Sequence, residues 1–117
     1  MIPKFMLKKL YVTGSLTQDN GEVIFKLTNN LYTGTVTSIE SIKINEQEYD
    51  LETINIDVGN EKVNVSKITS ENPFLLEKGG TFTFRVRGNL NPGKHKIDFS
   101  LLTKEAGKIA FDIEDEF

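Results

Sequence analysis

The chain contains no cysteine. Disulfides, thiolate metal sites and a cysteine nucleophile are excluded with it. A chain without disulfides fits a reducing compartment, so the cytoplasm is the expected location. Tryptophan is also absent, and the tyrosines are only Tyr11, Tyr32 and Tyr49. That leaves little for the exposed aromatic platform of a sugar-binding sandwich. Histidine occurs once, as His95 between Lys94 and Lys96. One imidazole cannot make the two- or three-imidazole metal site of a small β protein. With no Gly-x-Ser-x-Gly elbow, it has no nucleophile to serve either. His95 is therefore expected as a surface or turn residue. Positive charge is not in excess. The net charge is −3 and the pI about 5.2. Phosphate binding wants a basic stripe, so no nucleic acid is expected as a partner. Long apolar runs are missing too, and none exceeds three residues. No signal peptide and no membrane span are expected from such a pattern.

What the chain does have is alternation. In residues 81–87, Phe82, Phe84 and Val86 take one face and Thr83, Arg85 and Arg87 the other. In 96–101, Ile97, Phe99 and Leu101 align, and in 108–113 so do Ile109, Phe111 and Ile113. A period of two marks strands that bury one face and wet the other. The joints at 88–93 and 104–107 carry the Gly, Asn and Pro that reversals need. Residues 81–113 are thus expected to form a three-stranded meander. Upstream, 22–28 alternates after an Asp19-Asn20-Gly21 turn, and 35–45 is rich in Thr, Val and Ile. Residues 5–13 are expected as a first strand with two partly apolar faces. No stretch holds a helical period. The expected fold is all-β: one domain over residues 1–117, a single antiparallel β-sandwich of eight to nine strands, jelly-roll or immunoglobulin-like.

Candidate chemistry is sparse. Glu46, Glu48, Asp50 and Glu52 alternate and would share a strand face, most simply a solvated one. Glu114-Asp115-Glu116 forms an acidic tail, again expected to be solvated. Gly79-Gly80 has no Walker spacing and leads into a strand, so it is expected as a turn. No catalytic, cofactor-binding or metal-ligating residue is assigned. Apolar side chains do stand where a monomer has little use for them: Phe5, Met6 and Leu7, Leu31 and Tyr32, Phe74, Leu75 and Leu76, and Phe117. They suit a protein partner, because monomers seldom expose large apolar patches. They equally suit loops that fold back over the ends of the sandwich. Arg85 and Arg87, off the core face, could pair with a partner's carboxylates or with a neighbouring strand. Phe5, Met6, Tyr32, Phe74, Leu75, Arg85 and Arg87 form the candidate partner interface. A stand-alone carbohydrate- or protein-binding module is the alternative reading.

The layout resembles a known family. Met1-Ile2-Pro3-Lys4-Phe5-Met6-Leu7-Lys8-Lys9-Leu10-Tyr11-Val12 resembles the start of the β subunits of bacterial C-glycoside deglycosidases. So do Ile42-Lys43-Ile44-Asn45 before Tyr49-Asp50-Leu51, Asn72-Pro73-Phe74, and Gly93-Lys94-His95. The stretch 103–115, beginning Thr103-Lys104-Glu105-Ala106-Gly107, resembles the end of that family. The resemblance implies a β-sandwich that supports a catalytic α subunit in a heteromeric carbon–carbon lyase. That α subunit would be a TIM barrel with a divalent metal, manganese, and would cleave the bond between sugar and aromatic aglycone in 3-oxo C-glycosides such as those of flavonoids. No catalytic residue of the α subunit has a counterpart in this chain.

Overall fold

The computed structural model describes residues 2–117. Ten antiparallel strands form two sheets: β1 (Thr17–Asp19), β2 (Glu22–Thr28), β3 (Gly34–Ile44), β4 (Gln47–Glu48), β5 (Ile54–Val58), β6 (Glu61–Asn64), β7 (Phe74–Leu76), β8 (Thr81–Arg87), β9 (Lys94–Thr103) and β10 (Gly107–Glu116). The first sheet has the order β1-β2-β8-β5-β6. The second has the order β10-β9-β3-β4, and β7 pairs with the start of β3. The expected all-β sandwich is therefore what forms, with one strand more than the upper expectation.

The alternating positions point inward from both sheets. Phe25 and Phe84 of the first sheet stack at 5.3 Å, and Phe99 and Phe111 of the second stack at 4.9 Å. Phe99 meets Phe25 edge-on at 5.7 Å. This column of four rings joins the sheets through the middle of the molecule. Each buried ring contributes about 2–3 kcal/mol by removal from water, and the edge-on contact adds to this.

The meander does not form as expected. β8 pairs with β2 and β5, whereas β9 pairs with β10 and β3. Of β8, β9 and β10, only the last two make a hairpin; the loop 88–93 crosses from one sheet to the other. Both sheets face the same core, so strands from either carry the same alternation. Six residues with a proline also do not make a tight reversal. Gln18 fixes the crossing loop. Its Nε2 donates to Gly88 O at 3.0 Å, and its Oε1 accepts from Leu90 N–H at 2.8 Å.

The first strand expected over 5–13 is instead helical. A short helix, α1 (Lys4–Leu7), runs into a 3-10 turn at Lys8–Leu10. Pro3 supplies a fixed φ just before the helix, and its carbonyl accepts from Met6 and Leu7 N–H. Leu7 and Leu10, three apart, bury one face of this segment, and Tyr11 then bridges to Leu27. The joint between β3 and β4 is a two-residue turn with φ of 53° at Asn45 and 71° at Glu46, the twist a tight hairpin needs. The carboxylates after it do not share a strand face. Glu46 lies in the turn and pairs with Lys96 at 3.0 Å, while Asp50 caps a 3-10 turn at Leu51–Thr53. All four are exposed to solvent.

Candidate functional site

The two ends of the sandwich differ in chemistry. Where β10 finishes, polar groups close the gap between the sheets. Asp115 Oδ2 accepts the Tyr11 hydroxyl at 2.7 Å and the N–H groups of Gly14 and Leu16 at 3.0 and 3.2 Å. Its Oδ1 accepts from Glu116 N–H at 2.9 Å. Burial works to raise the Asp115 pKa, but these hydrogen bonds, led by that from Tyr11, outweigh it and hold the carboxyl below its usual range. Burial, reinforced by Asp115, pushes the Tyr11 phenol well above its usual value. A phenol that keeps its proton against a carboxylate that has lost its own is a latch. It ties the N-terminal segment to β10. The acidic tail expected at 114–116 is thus the end of a strand, with Asp115 turned inward.

His95 stands directly across from Asp115 in the β9–β10 register. It is 9% exposed, which corrects the expected surface position. The β9 strand begins at Lys94, so the alternation carries His95 inward. Its hydrogen bonding is fixed by its neighbours. Asn45 Oδ1 accepts from Lys96 N–H at 3.0 Å, which turns Asn45 Nδ2 toward His95 Nδ1 at 2.8 Å. Nδ1 is therefore the acceptor, and Nε2–H donates to Asn91 O at 2.7 Å. Phe117 stacks on the ring at 5.6 Å. Both ring nitrogens are engaged, so His95 has none free for a metal or a reacting proton. Among the described residues, no group of three or more His, Asp or Glu side chains is placed to hold a metal ion.

The opposite end is apolar and open. Asn29, only 2% exposed, organises it. Its Nδ2 donates to Tyr32 O at 3.0 Å and to Leu76 O at 2.7 Å, and its Oδ1 accepts from Leu31 N–H. Its backbone pairs with Gly79 and Gly80. Gly80 is required beside it: an added Cβ would come within 2.8 Å of the Phe82 ring. These bonds hold the loop 29–33 against β7. Behind that loop a cavity of about 70 Å³ runs between the sheets. Phe84, Phe99 and Phe111 line its depth, and Leu31, Ala106 and Ile109 line its half-exposed mouth.

The candidate interface residues fall into separate places. Tyr32 (53% exposed) lines the open end, and Leu75 (49% exposed) lies on β7, which Asn29 ties to the Tyr32 loop. Phe74 does not join them. It is a core residue, edge-on to Phe82 at 5.6 Å, because the period of two in β7 sends its side chain inward and that of Leu75 outward. Phe5 is 65% exposed on α1, with Lys9 Nζ 6.0 Å from its ring; Met6 beside it is half-buried. Arg85 and Arg87 lie on the outer face of the first sheet. Arg85 donates through Nε to Asp57 at 2.6 Å and pairs with Glu22 at 3.4 Å, so its charge is already matched within the chain. Arg87 is exposed across from Glu22. Asn29, Asp115 and Tyr11 escaped sequence reasoning. The only trace of Asn29 is an amide at the end of an alternating run, just before an apolar loop.

Fold and geometry define an all-β domain whose titratable clusters serve its own architecture and whose one open end is apolar. Residues 6–117 match the family described as hydroxymethylglutaryl-CoA reductase, N-terminal domain. The chain belongs to that family. No curated protein matches it. The match overturns the resemblance to C-glycoside deglycosidase β subunits, whose motifs were turns and strand edges that many sandwiches share. A carbon–carbon lyase acting on flavonoid C-glycosides goes with it, because the family is that of a reductase. The TIM-barrel α subunit and its manganese rested on the same resemblance alone. No helix among the described residues is long and apolar enough to cross a membrane.

Proposed function

We propose that this chain is a non-catalytic accessory domain of a hydroxymethylglutaryl-CoA reductase, which docks on the catalytic part of that enzyme through its open end. One observation carries the reading. Tyr32 and Leu75 are large and half-exposed, and Asn29 ties together the loop and the strand that carry them, its Nδ2 donating to Tyr32 O and to Leu76 O. Half-exposed apolar side chains on braced segments are what an interface anchor needs. The titratable groups support the same reading, since Asp115, Tyr11 and His95 spend their hydrogen bonds on the fold.

The test is association. The chain is mixed with the catalytic region of the reductase and followed by size exclusion at micromolar concentration. Co-elution that disappears with Tyr32→Ser plus Leu75→Ser is the expected result. Independent elution of the wild-type chain, or co-elution untouched by the double substitution, contradicts the proposal.

A further inference from the structure

The cavity beneath the docking residues has a chemistry of its own. Its floor is made of core side chains from both sheets, among them Ile56 and Phe84 from one and Ile42, Phe99 and Phe111 from the other. Cores are ordinarily packed without voids larger than a water molecule, so an unfilled apolar space that opens to solvent is unusual in a native domain. Water gains little there, since a buried water needs two to four polar partners. Three polar groups near the mouth are already committed. Thr103 Oγ1 donates to Gly107 O at 3.1 Å and accepts from Ala106 N–H at 3.0 Å. Glu105 accepts from Thr35 N–H and from Thr35 Oγ1, both at 2.7 Å. Asn29 is saturated as described.

We propose that the cavity is a binding site for the end of an unbranched aliphatic chain. Three features select that ligand. The apolar lining excludes a polar ligand. The volume of about 70 Å³ is well below the ~150 Å³ of an apolar cavity that takes benzene, so a ring is disfavoured and a narrow chain end is not. Thr103, Glu105 and Asn29 are engaged within the fold and the exposed lining is almost wholly apolar, so affinity resides in the chain. The chain could belong to a free fatty acid or to a neutral alkyl compound. The site sits under the docking surface but does not rest on the docking proposal, and it is tested on this chain alone.

The experiment is methyl NMR of the chain titrated with three six-carbon probes: hexanol, hexanoate and cyclohexanol. Saturable shifts at Leu31, Leu101 and Ile109 are expected with hexanol and hexanoate, at affinities within about threefold of each other, and affinity at least tenfold weaker for cyclohexanol. Ala106→Leu, which places a branched side chain in the mouth, should weaken both straight chains at least tenfold. Ile109→Phe should do the same and stands in if the first variant fails to fold. The proposal is overturned by an absence of saturable shifts with both straight-chain probes, by equal or tighter binding of cyclohexanol, or by a blocking variant that folds and binds as the wild type does. A preference for hexanoate over hexanol of tenfold or more would overturn it as well, since the mouth would then be reading a carboxylate.

Discussion

The polar end and the apolar end of this sandwich solve the same problem in opposite ways. Two sheets packed face to face leave two open ends through which water can reach the core. At one end the gap is closed by groups that satisfy one another: Tyr11, Asp115, His95 and Asn45, with Phe117 laid over the imidazole. At the other end Asn29 uses its capacity to brace a loop from below, and the apolar groups above it stay half-exposed. The first end is finished within the chain. The second is left open within the chain. The gathered titratable residues of this fold thus serve its architecture, and the apolar groups are what it leaves unused.

The largest effect should come from the layer that both ends share. Phe99→Ala removes the ring that joins the stacks of the two sheets and should cost about 3–5 kcal/mol. Urea unfolding would show it, and an unchanged midpoint would mean that the aromatic column is not what couples the sheets. Asp115→Ala comes next. It strips the acceptor from the Tyr11 hydroxyl and from the Gly14 and Leu16 N–H groups, at a cost of about 2 kcal/mol. The same end should carry the pH dependence. The Asp115 pKa is lowered in the fold, so its contribution is complete above the unfolded value of about 4 and is lost as pH falls through the folded value. Tyr11 is shifted upward, so its contribution is complete below the unfolded value of about 10 and declines as pH rises above it. Asp115→Asn should flatten the acid limb of the stability profile; an acid limb identical to that of the wild type would place the dependence elsewhere. The smallest effect on stability belongs to the open end. Tyr32→Ser with Leu75→Ser should move the midpoint by less than about 0.5 kcal/mol, as surface substitutions do, even though association is lost. A large destabilisation would make these side chains part of the core closure.

How much of this was legible in the sequence follows from the range of the forces involved. Strand residues such as Phe82 and Phe99 declare themselves because burial repeats every second residue. The same repeat cannot say which sheet a strand joins, so β8 and β9 looked like neighbours although they lie in opposite layers. The N-terminal segment reads as a strand although it is helical, because its helical signal is a single pair, Leu7 and Leu10. Leu75 is exposed and Phe74 buried, a division the sequence does not show because the register of a three-residue edge strand depends on its pairing with β3. His95 and Asp115 face each other through the β9–β10 register, and Asn29 reaches Leu76 across 47 residues. Nothing local announces contacts of that kind.

Hydrogen exchange on the chain with and without the catalytic region of the reductase tests the contrast between the ends most directly. The account predicts added protection in residues 29–35 and 74–76, and no change in residues 91–96 and 113–117. Protection that rises instead around His95 and Asp115, with the Tyr32 and Leu75 segments unchanged, would contradict it.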